Sequence, residues 1–125
     1  LVEVVCDTSF LIHLATHRIK NLTSIETEIG RIQFVVPDTV IAELTKLSDL
    51  EEKKTVALAT LDFIKSYKTI ELGGNFADAT VLSYIKKHGG VVATMDKGLK
   101  SLIKKEGGSV ISIANNKIIL ESSKI

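Results

Sequence analysis

Apolar and polar positions alternate along this chain in two rhythms. Short β-branched runs read as strands: Val2 to Cys6, Gln33 to Val36, Thr69 to Leu72 (the weakest), Gly90 to Thr94 and Ser109 to Ile113, with Asn116 to Leu120 as a last edge strand. Between them the apolar residues fall at helical spacing. Ser9 to Thr16 carries Phe10, Leu11 and Leu14, and a second piece covers Asn21 to Ile29. Thr39 to Leu47 carries Val40, Ile41, Leu44 and Leu47, and Glu51 to Ser66 carries Leu58, Leu61, Phe63 and Ile64. Ala77 to His88 carries Val81, Leu82 and Ile85, and Lys97 to Lys105 carries Leu99, Leu102 and Ile103. Pro37 and the pairs Gly73-Gly74, Gly89-Gly90 and Gly107-Gly108 punctuate the changes of rhythm. Strands alternating with helices predict an α/β fold, a mostly parallel sheet covered by helices.

Ligands of open parallel sheets bind beyond the carboxyl ends of the strands, so the polar residues that end the strand runs come first. Val2 to Cys6 delivers Asp7, and Val91 to Met95 delivers Asp96. Asp38 follows Val35-Val36-Pro37 and reads as the N-cap of the helix it precedes. On the helix from Thr39, the 100° step puts Glu43 beside Leu47 at the border of the apolar stripe, and on the helix from Ala77, Asp78 lies one turn above Leu82. Each acid has an ordinary reading: Asp7 and Asp96 as helix caps, Asp78 as a partner of the helix dipole, Glu43 as a surface residue. Together they allow another. Two unit charges ~4 Å apart repel by about 4 kcal/mol at an effective dielectric of 20, so four converging carboxylates require a cation. Oxygen-only donors select a hard ion, Mg²⁺ or Mn²⁺, and such ions serve phosphodiester hydrolysis.

The composition narrows the field. The chain has 125 residues, which suits one domain over 1–125, with 45% hydrophobic and 25% charged residues, which excludes intrinsic disorder. A single cysteine, Cys6, excludes a disulfide framework, fits a reducing cytoplasm and reads as a core residue. No run approaches the ~20 apolar residues of a membrane span, and no signal-peptide pattern opens the chain. Aromatic residues make up 5%, which disfavours a binder that stacks successive bases on aromatic platforms. Setting the four acids aside from the 15 leaves 11 acidic against 16 basic residues. Lys97, Lys100 and Lys104 share a helical face and Lys86 and Lys87 end the preceding helix, a surface for phosphates or simply a solvated face. His13 and His17 stand four apart without a third ligand beside them, which argues against zinc. The glycine fingerprint of dinucleotide binding, the Walker motif and the G-x-S-x-G elbow are all missing.

The stretches Val4-Val5-Cys6-Asp7-Thr8-Ser9-Phe10-Leu11-Ile12, Val36-Pro37-Asp38-Thr39-Val40-Ile41-Ala42-Glu43-Leu44, Ala77-Asp78-Ala79 and Val92-Ala93-Thr94-Met95-Asp96-Lys97-Gly98-Leu99 resemble, in order, the motifs of the PIN-domain ribonucleases. The resemblance implies a three-layer α/β/α sandwich and a Mg²⁺- or Mn²⁺-dependent endoribonuclease. Asp7, Glu43, Asp78 and Asp96 are then the catalytic, metal-binding acids, and Ser9 and Thr94 the hydroxyls that support them. Val36-Pro37-Asp38 and Thr94-Met95-Asp96-Lys97 look most like the archaeal and eukaryotic proteins of ribosomal RNA processing, and the VapC toxins are the close competitor. Met95, Ala79 and Gly98 depart from the ribosomal pattern, which often has Asn, a second Asp and another acid there. The implied partners are RNA, a second copy of the chain, and an antitoxin or a ribosome-assembly factor. A catalytically silent scaffold in a ribonucleoprotein is the non-enzymatic alternative.

Overall fold

The computed structural model describes residues 2–20, 30–74 and 76–121. The helical piece expected over Asn21 to Ile29 lies outside the described residues. In chain order the elements are β1 (Val2–Cys6), α1 (Thr8–Thr16), β2 (Ile32–Pro37), α2 (Asp38–Leu47), α3 (Lys54–Ile64), β3 (Lys68–Ile70), α4 (Ala77–His88), β4 (Val91–Ala93), α5 (Lys97–Lys105), β5 (Ser109–Ala114) and β6 (Lys117–Glu121).

The six strands form one sheet in the order β3-β2-β1-β4-β5-β6. All neighbours are parallel except β5 and β6, which pair as an antiparallel hairpin. The order reverses direction at β1, where the chain moves outward to β2 on one side and β4 on the other, so the carboxyl ends of β1 and β4 flank the crevice that such a switch creates. Alternate strand residues feed two cores. Val4, Cys6, Val36, Ala93 and Ile111 pack with Phe10, Leu11, Val40, Leu44 and Ile64 from α1, α2 and α3. Val5, Val35, Val92 and Val110 pack with Val81, Ile85, Leu99 and Ile103 from α4 and α5. Burial on both faces explains why the inner strands are almost uninterruptedly apolar. The architecture is the expected three-layer α/β/α sandwich.

Several boundaries differ from the sequence reading. β3 does form, one residue earlier than Thr69 and ending at Ile70, because the Leu72 N–H is donated to Asp38 Oδ1 (3.0 Å) instead of to a strand. Asp38 is not the N-cap of α2: Pro37 occupies that position, and Asp38 Oδ1 accepts from Thr39 N and Leu72 N (both 3.0 Å), tying the segment after β3 to the start of α2. The helix expected from Glu51 begins only at Lys54, since turn hydrogen bonds such as Lys53 N to Leu50 O occupy the preceding residues. Asn116 belongs to the β5–β6 turn: it and Asn115 both have positive φ (61° and 54°), the two-residue geometry that matches strand twist and that Asn tolerates. Among the described residues no helix is long and apolar enough to cross a membrane.

Candidate active site

Asp7 and Asp96 each do two jobs. As caps, Asp7 Oδ1 accepts from Phe10 N at the start of α1 (2.9 Å) and Asp96 Oδ1 from Leu99 N at the start of α5 (2.9 Å). The cap reading therefore holds for both, and it leaves each aspartate at its strand's carboxyl end. Asp7 is 2% exposed. Ser9 Oγ donates to it (2.9 Å to Oδ1), as does Thr94 Oγ1 to Oδ2. The same two hydroxyls accept from the next strand's loop: Ser9 Oγ from Met95 N and Thr94 Oγ1 from Asp96 N, both 3.0 Å. Ser9 and Thr94 thus couple the two strand-end aspartates, which the sequence reading expected only as general support.

The helices bring the other two acids. Asp7, Glu43, Asp78 and Asp96 line one open cleft of about 370 Å³ together with Thr8, Ser9, Ile12, Phe76 and Ala77. Among the described residues no lysine, arginine or histidine lines it. The electrostatic consequence is visible on two of the acids. Asp7 is raised from 3.8 to about 6, first by burial, with Asp78 adding repulsion and the hydrogen bonds from Thr94, Phe10 and Ser9 opposing. Asp78 is also raised, by burial and then by the charges of Asp96 and Glu43. All four acids therefore sense one another through Asp78.

This donor set fits a hard divalent ion. It offers oxygen alone, its charge has no internal counterion, and Thr8 Oγ1, a buried hydroxyl on the same lining, has no hydrogen-bond partner. Among the described residues no three ligand-type side chains close around a single point. Mg²⁺ ordinarily takes only one or two carboxylates and keeps several waters, so such an ion would not need all four acids as direct ligands. Gly98 keeps the approach to Asp96 open, since a Cβ there would stand 3.2 Å from Asp96 Oδ1.

The lysines divide. Lys100 and Lys104 are turned to Glu121 on β6 (3.2 and 2.7 Å), which also accepts from Ser112 Oγ (2.6 Å). Lys97, at the first position of α5, is exposed, and Lys86 and Lys87 end α4, where they have no carboxylate partner among the described residues. His13 and His17 stack ring on ring at 3.9 Å, and Cys6 is buried in the core. Sequence reasoning missed Thr8 and Phe76. Thr8 was signalled only by its place inside Asp7-Thr8-Ser9, and Phe76 only by preceding Ala77-Asp78.

A family model described as PIN like domain matches residues 4–116. Ribonuclease VapC4 of Methanocaldococcus jannaschii is 32% identical over 121 residues, with 92% of each chain covered. The solved structure of the PIN domain endonuclease Utp24 superimposes with a TM-score of 0.74 at 28% identity, covering 96% of this chain and 91% of that one. A domain of a functionally unknown protein from Methanocaldococcus jannaschii superimposes with a TM-score of 0.64, covering 91% of this chain and 92% of its own, and at 16% identity it speaks for the fold alone. With its strand-end aspartates, its cleft and this match over nearly its whole length, the chain belongs to the PIN like domain family.

Proposed function

We propose that the chain is a divalent-metal-dependent endoribonuclease that works in the cytoplasm on RNA phosphodiester bonds. The observation that carries the reading is the cleft itself: four carboxylates on one lining and, among the described residues, no basic side chain beside them. A structural cluster of acids would be expected to recruit an arginine or lysine. The likeness to ribonuclease VapC4 and to the endonuclease Utp24 supports the same activity.

In this reading Asp7 and Asp96 hold Mg²⁺ or Mn²⁺ from the strand ends. When bound, such an ion neutralises charge on the scissile phosphate and lowers the pKa of water. Ser9, Thr94 and the Phe10 N–H fix the Asp7 carboxylate in one orientation, so its lone pairs are aimed before substrate arrives. Glu43 and Asp78 would complete the ion's site or orient the attacking water. Water attacks phosphorus, the bond to the 3′ oxygen breaks, and the products carry a 5′-phosphate and a 3′-hydroxyl.

The Val36-Pro37-Asp38 and Thr94-Met95-Asp96-Lys97 motifs support ribosomal RNA processing as the setting. The identity to ribonuclease VapC4 favours a second reading, a toxin nuclease restrained by an antitoxin. The test of the activity is cleavage of single-stranded and structured RNA with Mn²⁺ by wild type, Asp7→Asn and Asp96→Asn. Equal cleavage by all three would overturn it. An antitoxin frame beside the gene, against co-purification with pre-ribosomal particles, separates the settings.

A further inference from the structure

Next to the acid cleft lies a larger groove of about 510 Å³, and Phe76 lines both. Phe76 is 75% exposed, the most exposed of the large apolar side chains among the described residues. From it the groove follows one face of α4 through Thr80 and Tyr84 to Lys87 and His88. The eleven residue-to-residue steps from Phe76 to Lys87 span about 16 Å at 1.5 Å each.

The opposite wall is built in place. Asp38 holds Leu72 by its N–H, and Thr39 Oγ1 meets Thr80 Oγ1 at 3.0 Å. Gly74, at φ +83°, lies so near Thr80 that a Cβ would meet its methyl at 2.4 Å. A preformed groove binds without the cost of ordering loops. Its chemistry suits a nucleic acid strand. It starts at Phe76, which it shares with the acid cleft, presents that bare aromatic face, continues to the Tyr84 and His88 rings, whose centroids lie 4.7 Å apart, and ends at Lys87. One acid, Glu71, lies on the lining. Of the α5 lysines that the sequence also offered, Lys100 and Lys104 are held by Glu121, and Lys97, though exposed, does not line this groove, whose cationic end is Lys87 at the end of α4.

We propose that this groove is the subsite for single-stranded RNA flanking the scissile bond, with a base stacked on Phe76 and a phosphate beside Lys87. It rests on the ribonuclease reading and extends it. The scarcity of aromatic residues excludes a platform for successive bases, and a single ring beside the acids is what positioning one nucleotide requires.

The test measures binding of a fluorescein-labelled single-stranded oligoribonucleotide by anisotropy in the Asp96→Asn background, and cleavage in the wild-type background with Mn²⁺. Phe76→Ala and Phe76→Leu each weaken binding roughly tenfold, whereas Phe76→Trp keeps it, because leucine fills space but does not stack. Lys87→Ala lowers the slope of log affinity against log salt by about 0.7, one phosphate contact. Leu102→Ala, in the cavity on the other side of Asp78 and Asp96, is the control and changes neither. Full binding by Phe76→Ala, with wild type cleaving, overturns the subsite and leaves the nuclease standing. Equal binding of a duplex, or a loss confined to Leu102→Ala, overturns it as well. Phe76-dependent binding by a wild type that cleaves nothing upholds the subsite and sinks the nuclease, and absence of binding sinks the subsite.

Discussion

Two carboxylate sites in this chain stand in opposite electrostatic conditions. Glu121, on the edge strand β6, meets Lys100, Lys104 and Ser112, and these hold its carboxyl down from 4.5 to about 2, the Lys104 and Ser112 hydrogen bonds foremost. Asp7, at the centre of the sheet, has hydroxyls and one backbone N–H but no cation, and burial takes it up to about 6. The first site is electrically complete. The second, with Glu43, Asp78 and Asp96 around it, is charged in a way that folding alone does not resolve. Lysines stand beside one acid, while among the described residues none lines the cleft of the four others, and this contrast is what the proposed external cation would account for.

The largest effect that would break or uphold this contrast is on catalysis. Asp7→Asn and Asp96→Asn are expected to reduce Mn²⁺-dependent RNA cleavage by at least roughly a hundredfold. Glu121→Gln, the same chemical change at the completed site, is expected to stay within about twofold of wild type, since distant sites act independently. Initial rates on one labelled RNA under single-turnover conditions decide it. A comparable loss from Glu121→Gln would erase the distinction between the sites.

Stability against pH comes next, and the two sites pull in opposite directions. Between pH 3.8 and about 6 the folded chain keeps a proton on Asp7 that the unfolded chain has released, so stability falls as pH rises through this window. Two pH units correspond to roughly 3 kcal/mol. Asp78 shifts in the same direction and adds to the fall. Glu121 works the other way: between about 2 and 4.5 the unfolded chain holds the extra proton, and stability rises with pH. Without metal the melting temperature should climb to about pH 4.5 and then decline towards pH 7. Mn²⁺ or Mg²⁺ binding the ionised cleft should reverse the decline, by about 2.7 kcal/mol at a hundred times Kd, on the order of 10 °C. Melting curves from pH 3 to 8, with and without metal, check both limbs. Asp7→Asn should remove most of the upper limb and leave the lower one intact.

A smaller effect tests the wiring of Asp7. Thr94→Val removes the hydroxyl that donates to Asp7 Oδ2 and accepts from Asp96 N. The expected cost at pH 7 is about 2 kcal/mol, as for other hydrogen bonds to a charged group. It shrinks near pH 4, where Asp7 is neutral in the folded chain. A loss independent of pH, read from urea melts at the two values, would mean that Thr94 serves packing alone.

Much of this was legible in the residues because buried parallel strands and strand-end aspartates leave strong local signals. Val4-Val5-Cys6-Asp7 and Val91-Val92-Ala93 announced both the sheet and the edge at which the acid-lined cleft lies. Asp38 was misread because a carboxylate before a helix looks like a cap, whereas its partner, Leu72, is 34 residues away. Lys100 and Lys104 looked like a phosphate surface because helical spacing shows which residues share a face and not what strand lies opposite. Phe76 left no signal of its own, since one position carries no periodicity. What escaped, in each case, was a partner set by the tertiary fold.

The smallest effect belongs to the completed site. Glu121→Gln removes a charge at which two lysines and one hydroxyl converge, with the ion pairs only a quarter to a third exposed (21–35%). Glutamine keeps an acceptor for Ser112 Oγ or a lysine but leaves the two ammonium groups 3.2 and 2.7 Å from a neutral amide. A loss of about 1 kcal/mol at pH 7 is expected, at the upper end for surface pairs because three donors share one carboxylate. The loss should shrink as pH falls towards 2, where wild-type Glu121 is half protonated in the folded chain, and shrink in 1 M salt, where screening reaches ~3 Å. Urea titrations of wild type and Glu121→Gln at pH 7 and pH 2.5, at low and high salt, read this directly. If the difference survived both acid and salt, Glu121 would be acting through packing. The contrast with Asp7 would then reduce to burial alone, with no role for the cations that the chain supplies to one acid and withholds from the others.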